Sequence, residues 1–290
     1  LNPRREFIRK QFDRSASSAY DDHANVQRMM AERLASLVAK SSRKPPGSRP
    51  DGASPSPARV LEIGCGTGFL TARLLSLLPD AALTALDLAP AMLETARRRI
   101  SAAGSARSAE RVRFLLADVE TWAPGAAASS FDLIASSACF QWLADPGRTI
   151  RELRRLLAAG GQLAFATFGP QTFAELHASF AAAYESFGLP PQRHGLSFRS
   201  AEQWRRLLAE AGFASIRHER RLYTERHSSV AAFLRSVKAV GASATEATAS
   251  GGLSSRKLFA RMFAEYETRY ASEAGIPATY EVLLFRAEAR

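Results

Sequence analysis

A chain of 290 residues, 46% hydrophobic and 23% charged, is long and apolar enough to bury a core of its own, which excludes a disordered chain or a covalently stapled miniature domain. Two cysteines, Cys65 and Cys139, exclude a disulfide framework, and no apolar stretch is long enough to span a bilayer. A net charge of +11 without interleaved basic and aromatic residues points to an acidic protein partner rather than to nucleic acid or a membrane. The basic N-terminus lacks the apolar core of a signal peptide, so a cytoplasmic location is expected.

In chain order, 4–40 reads as helix, with a Ser-rich break at 15–18 and apolar residues at helical spacing from Val26 to Val38. The stretch 41–58 is dense in Pro, Ser and Gly and reads as a flexible linker. From 59 the pattern alternates: "RVLEI" a strand, 68–78 a helix, "ALTALDL" a strand, 90–103 a helix, "VRFLLAD" and "FDLIASS" strands, 145–158 a helix, "GGQLAFATF" a strand, 171–187 a helix. Such alternation implies a parallel sheet covered on both faces. Near the end, "SIRHERRLYTE" and "TYEVLLFRAEA" read as two more strands, and 229–240 and 254–271 as helices. The whole reads as one domain, with N-terminal helices at 1–40, the linker, a ligand-binding core at 59–187, a substrate or lid region at 188–275 and a closing strand at 276–290.

The first strand runs into Gly64-Cys65-Gly66-Thr67-Gly68, where a strand-to-helix turn brings backbone close to a ligand at the carboxyl end of the sheet. Three carboxylates stand at three successive strand ends. Glu62 can reach a cationic amine, Asp87 can accept both hydroxyls of a ribose, and Asp118 can accept from an adenine amino group. Each alone can be a helix cap. Together they outline a nucleoside joined to an amino acid. The spacing is not the G-x-G-x-x-G of a dinucleotide site, and a carboxylate beside the turn repels pyrophosphate. No Gly-Lys-Ser/Thr follows, and no pair among His23, His177 and His194 has metal-ligand spacing, so no metal is assigned.

The turn and its carboxylates resemble the S-adenosylmethionine loop of class I methyltransferases. Over most of its length the chain resembles the malonyl-acyl-carrier-protein O-methyltransferase family of biotin synthesis. The resemblance is carried by "FDRSASSAYDDHANVQRMMAERL", "SSACFQWLADP", "FATFGPQTFAELHASFAAA", "HGLSFRSAEQW" and the final "ATYEVLLFRA". It implies an α/β, Rossmann-like fold: a seven-stranded, mostly parallel sheet with an antiparallel edge strand, helices on both faces and a helical lid insertion. It also implies S-adenosylmethionine as cofactor, with S-adenosylhomocysteine as product. Glu62, Gly64 and Gly66 would bind the methionyl part and Asp87 the ribose, and Gly68 would also belong to the cofactor loop. Leu88 would pack on the adenine, with Asp118 and Val119 at its polar edge, and Ser136 would lie near the sulfonium. Tyr20 and Arg14 would close the cofactor from the N-terminal helices, and Gln141, Trp142, Phe198 and Arg199 would meet the substrate.

The substrate that the resemblance implies, a malonyl carboxylate on acyl carrier protein, is ionised at neutral pH and requires no general base. The protein must position one oxygen, exclude water and hold the other oxygen, for which Tyr20 and Arg199 are candidates. Arg148, Arg151, Arg154, Arg155, Arg193 and Arg199 are candidates for steering an acidic carrier, and a monomer is expected. Two other readings stay open on the residues alone: a methyltransferase acting on a small molecule, and a non-catalytic assembly factor with this fold.

Overall fold

The structure is a computed structural model and describes residues 3–16, 20–40, 58–103, 109–242 and 255–289. All but the last residue of the linker expected at 41–58, the second half of the Ser-rich break at 15–18 and the Ala/Ser/Gly-rich stretch at 243–254 lie outside the described residues.

Five short apolar segments become parallel strands: β1 (Arg59–Ile63), β2 (Ala82–Asp87), β3 (Val112–Leu116), β4 (Phe131–Ser137) and β5 (Leu157–Phe168). β6 (Phe213–His227) and β7 (Ile276–Ala289) complete a seven-stranded sheet of order β3-β2-β1-β4-β5-β7-β6. The antiparallel strand is β7, which pairs with β5 on one side and β6 on the other. It therefore lies one place in from the margin, and β6 forms the outermost strand of that flank.

Chain order reverses between β1 and β4, so the crevice beyond their carboxyl ends is the place where such sheets bind ligands. Both faces are covered. On one face pack α3 (Asn25–Lys40), α4 (Phe69–Leu77), α5 (Pro90–Ala103), α8 (Ala174–Ser186), α10 (Val230–Ala239) and α11 (Ser255–Tyr270), through residues such as Met30, Leu74, Ala96, Phe180, Phe233 and Tyr266. On the other pack α7 (Pro146–Leu156) and α9 (Ala201–Glu210), around Phe140, Phe165, Trp204 and Phe285. The rings of Phe165 and Phe285 stack at 4.9 Å. The remaining helices, α1 (Pro3–Ala16), α2 (Tyr20–His23) and α6 (Val119–Trp122), lie at the carboxyl end of the sheet or lead away from it.

Local chemistry sets the helix ends. Asp145 caps α7 by accepting the Arg148 amide at 2.9 Å, and Pro146 occupies its first turn. α7 stops at Leu156, two residues short of the expected end, because Leu157 already pairs with Phe131 in the sheet. Ser200 and Gln203 form a reciprocal capping box at the start of α9. β6 runs past the expected 215–225 in both directions because β7 pairs with it from Phe213 to His227. Of the expected lid region 188–275, α9 and β6 are therefore layers of the main body.

Candidate functional site

A cavity opens at the switch point. From the sheet it is lined by Glu62, Ile63, Gly64, Cys65, Gly66, Thr67, Asp87, Leu88, Asp118, Val119, Ser137 and Cys139, and from the helices by Arg5, Ile8, Phe12, Tyr20, Gln27 and Trp142, among others. The glycine turn shapes its floor. The amides of Gly64 and Cys65 both donate to the Leu86 carbonyl, at 2.8 and 3.0 Å. Gly64 has φ +68°, and a Cβ there would lie 2.5 Å from the Cys139 sulfur, so only glycine lets the segment after β4 come this close. Gly66 has φ +54°, and a Cβ there would meet nothing within 4 Å, so the chain bends here beside open space. Gly68 is placed differently: it starts α4 and packs against Ala96 rather than on the cavity.

The carboxylates are costly as they stand. Glu62 is 1% exposed and accepts the Thr71 hydroxyl at 2.6 Å. Burial pushes its pKa up to about 8, against the pull of Thr71, and among the described residues no basic side chain opposes that shift. Asp87 accepts the Gly66 amide at 2.8 Å and the Ala89 amide at 2.9 Å. Burial still pushes it up to about 6, because those amides offset only part of the lost hydration. Asp118 caps α6 through the Glu120 amide at 2.9 Å and faces Arg5 at 2.7 Å. Desolvation pushes the Tyr20 phenol above its ordinary value, and Asp87 and Asp21 add to the shift, so Tyr20 stays a proton donor at neutral pH. Burial also pushes the Cys139 thiol up to about 12, which keeps it neutral beside the turn.

These residues fit S-adenosylmethionine. Among the described residues Glu62 is a nearly dry carboxylate without a cation, which suits an ammonium group, Asp87 has lone pairs left for hydroxyls, and the buried Ser137 Oγ has no hydrogen-bond partner. Leu88 and Val119 offer apolar surface at the Asp118 end.

Several expected site residues lie elsewhere. Arg14 is exposed near the end of α1 and does not line the cavity; Arg5, from the first turn of the same helix, does. Ser136 is fully buried and donates to the Ile63 carbonyl at 2.9 Å, so its neighbour Ser137 faces the cavity instead. Trp142 lines the cavity, but Gln141 turns back, donating to Ala138 O at 2.8 Å and accepting from Thr167 at 3.1 Å. Phe198 packs on Phe168 at 5.8 Å and the Arg199 guanidinium lies 5.7 Å from the centre of a Trp204 ring; neither lines the cavity. Among the arginines considered for steering, Arg148 and Arg151 are exposed on α7. Arg155 does not share their open face: it donates to Ala123 O at 2.6 Å and Ala126 O at 2.8 Å. Arg193 donates to Leu196 O at 3.2 Å.

Sequence reasoning missed Arg5, Ile8, Phe12, Gln27 and Cys139 as lining residues. The 5, 8, 12 spacing on α1 was the available signal for a single inward face. Among the described residues, no group of three or more His, Cys, Asp or Glu side chains is placed to hold a metal ion.

A family model described as a methyltransferase domain matches residues 60–161. A malonyl-[acyl-carrier protein] O-methyltransferase of Paenibacillus sp. strain JDR-2 is 49% identical over 288 residues, which is 99% of this chain and 100% of that protein. One from Brevibacillus brevis is 41% identical over 280 residues, 97% of this chain and 95% of that protein. Among solved structures, phosphoethanolamine N-methyltransferase 2 of Haemonchus contortus, in complex with phosphomonomethylethanolamine and S-adenosylhomocysteine, matches with a TM-score of 0.54. It is 17% identical and the match covers 97% of this chain and 59% of that one, a likeness of fold.

Proposed function

This chain belongs to the malonyl-[acyl-carrier protein] O-methyltransferase family, and from that premise we propose how its site works. The protein is an S-adenosylmethionine-dependent O-methyltransferase that converts the free carboxylate of malonyl-acyl carrier protein to its methyl ester, for biotin synthesis. The observation that carries the reading of the site is the convergence of Glu62, Asp87 and Asp118, from three strand ends, on one cavity.

Glu62 holds the ammonium group of the cofactor, Asp87 its ribose hydroxyls and Asp118 its adenine amino group, with Leu88 and Val119 against the ring. Ser137 takes the place at the end of β4 that sequence reasoning gave to Ser136. When bound, the cofactor supplies a methyl group already activated on a sulfonium. The chain's own work is then positioning and drying. Phe12 and Trp142, edge to face at 5.4 Å, close one side of the cavity against water. Tyr20, kept protonated by its surroundings, donates to one oxygen of the acceptor carboxylate and leaves the other free as nucleophile. No side chain has to remove a proton. The exposed Arg148 and Arg151 are the arginines of α7 best placed to meet an acidic carrier. No described helix is long and apolar enough to cross a membrane. We propose a monomer in the cytoplasm, consistent with two free cysteines.

The test is transfer of a labelled methyl group to malonyl-acyl carrier protein, with malonyl-CoA and free malonate as competitors. The carrier-bound acceptor should be preferred, and its rate should fall as salt rises. A clear preference for free malonate or malonyl-CoA would overturn the carrier assignment.

A further inference from the structure

One face of α1 roofs the cavity, presenting Arg5, Ile8 and Phe12 inward. Three grips hold it there. Phe12 meets Trp142, and Asp13 Oδ1 accepts the Ala91 amide of α5 at 3.1 Å. The third grip is Arg5, whose Nη1 lies 2.7 Å from Asp118 Oδ2 and whose Nη2 lies 2.8 Å from Glu120 Oε2. Both carboxylate side chains are only 9% exposed, so salt screens this contact less than it would a surface pair.

Glu120 is a hub. Besides Arg5 it accepts the amides of Ala144 at 3.0 Å and Asp145 at 2.8 Å. One carboxylate thus ties the roof to the segment that carries Trp142 and Leu143, which form the facing wall. Two nearly dry carboxylates two residues apart repel each other, and a planar guanidinium is the side chain able to serve both at once.

We propose that Arg5 is the latch of this chamber: by spanning Asp118 and Glu120 it holds α1 closed over the bound cofactor and sets how fast the cofactor product leaves. The proposal rests on the cofactor reading above. Arg5 is a positioning residue, acting through the roof and through Asp118. A carboxylate oxygen can accept more than one donor, so an adenine amino group and Arg5 can share Asp118, and ligand and latch then stabilise the same closed form.

The test is the dissociation rate of S-adenosylhomocysteine from the full chain, read by surface plasmon resonance. Arg5→Ala should release the ligand about tenfold faster or more, as expected for loss of a charge-assisted pair. Arg5→Lys should fall between it and wild type, because a point charge cannot serve both carboxylates equally. Lys10→Ala removes the same charge from the exposed side of α1 and should leave the rate unchanged. Glu120→Gln should also speed release, and the double variant with Arg5→Ala should be no faster than Arg5→Ala alone. Unchanged dissociation in folded Arg5→Ala would overturn the latch and leave the cofactor reading standing. Should Arg5→Ala fail to fold, unchanged dissociation in Arg5→Lys and Glu120→Gln would do the same. A wild-type chain that binds no S-adenosylhomocysteine would overturn the cofactor reading and the latch with it.

Discussion

Glu62 and Glu281 are both buried glutamates, 1% and 4% exposed, and the fold treats them in opposite ways. Glu281, on β7, is fully employed: it pairs with Arg220 of β6 and accepts the Gln171 amide at 2.7 Å. It also fills the space beside Gly169, where a Cβ would lie 2.5 Å from its carboxyl carbon. Glu62, at the end of β1, has a hydroxyl partner and, among the described residues, no cation, and burial drives its pKa up to about 8. Asp87, on the next strand, accepts two backbone amides, and burial still pushes it up to about 6. A buried charge normally brings its counter-charge with it, because desolvation is otherwise uncompensated. One half of the sheet meets that requirement internally. In the other half, Glu62 and Asp87 have no such cation among the described residues, and on the proposed reading a bound ligand supplies what they lack.

The largest expected effect is at Asp87. Asp87→Ala should weaken S-adenosylhomocysteine binding by about 100-fold or more, the loss of two hydrogen bonds to a charged acceptor, while circular dichroism still reports the folded sheet. Retained affinity by calorimetry would remove Asp87 from the ribose.

Next comes the glutamate pair itself. Glu62→Gln should weaken binding by about 10-fold to 100-fold. Its effect on stability has the opposite sign. The folded pKa of Glu62 lies above the ordinary carboxylate value, so the fold favours the protonated form, and wild type loses stability as pH rises from about 4 towards 8. Glu62→Gln should therefore gain melting temperature over wild type at pH 8.5 and little at pH 5. Binding an ammonium group ionises Glu62, so ligand binding at pH 7 should release a proton, seen as a buffer-dependent binding enthalpy. Glu281→Gln is the contrast: it should destabilise the protein by about 1–3 kcal/mol, through the weakened contact to Arg220, and leave ligand affinity unchanged. If the two variants behaved alike, the distinction between the two halves of the sheet would fail.

The smallest expected effect is at Tyr20. Tyr20→Phe should lower kcat by about tenfold, as for loss of one donor to the acceptor carboxylate, with S-adenosylhomocysteine affinity nearly unchanged. A loss of affinity without a loss of kcat would reassign Tyr20 to the cofactor.

Much of this was legible before the structure. Alternating strands and helices announced a parallel sheet, and the glycine turn with its acidic strand ends pointed to the cavity at the switch point. What was misplaced depended on where side chains point. Ser136 and Ser137 are neighbours on one strand, and successive residues face opposite sides, so one of them bonds the sheet and the other meets the cavity. Gln141 lies in a single 3-10 turn at Phe140–Trp142, whose direction no periodicity reveals. Arg14 and Arg5 sit on the same helix, and only its docking against α5 decides which of them lines the cavity.

The sequence by itself determined the elements, the glycine bend and the acidic strand ends, because backbone propensity and hydrophobic period act over a few neighbouring residues. The tertiary structure alone decided that Arg5 lines the cavity and pairs with Asp118 and Glu120, that Glu281 has a cation beside it and that, among the described residues, Glu62 has none. Those outcomes turn on desolvation and counter-charge, which exist only once segments distant in the chain are packed together.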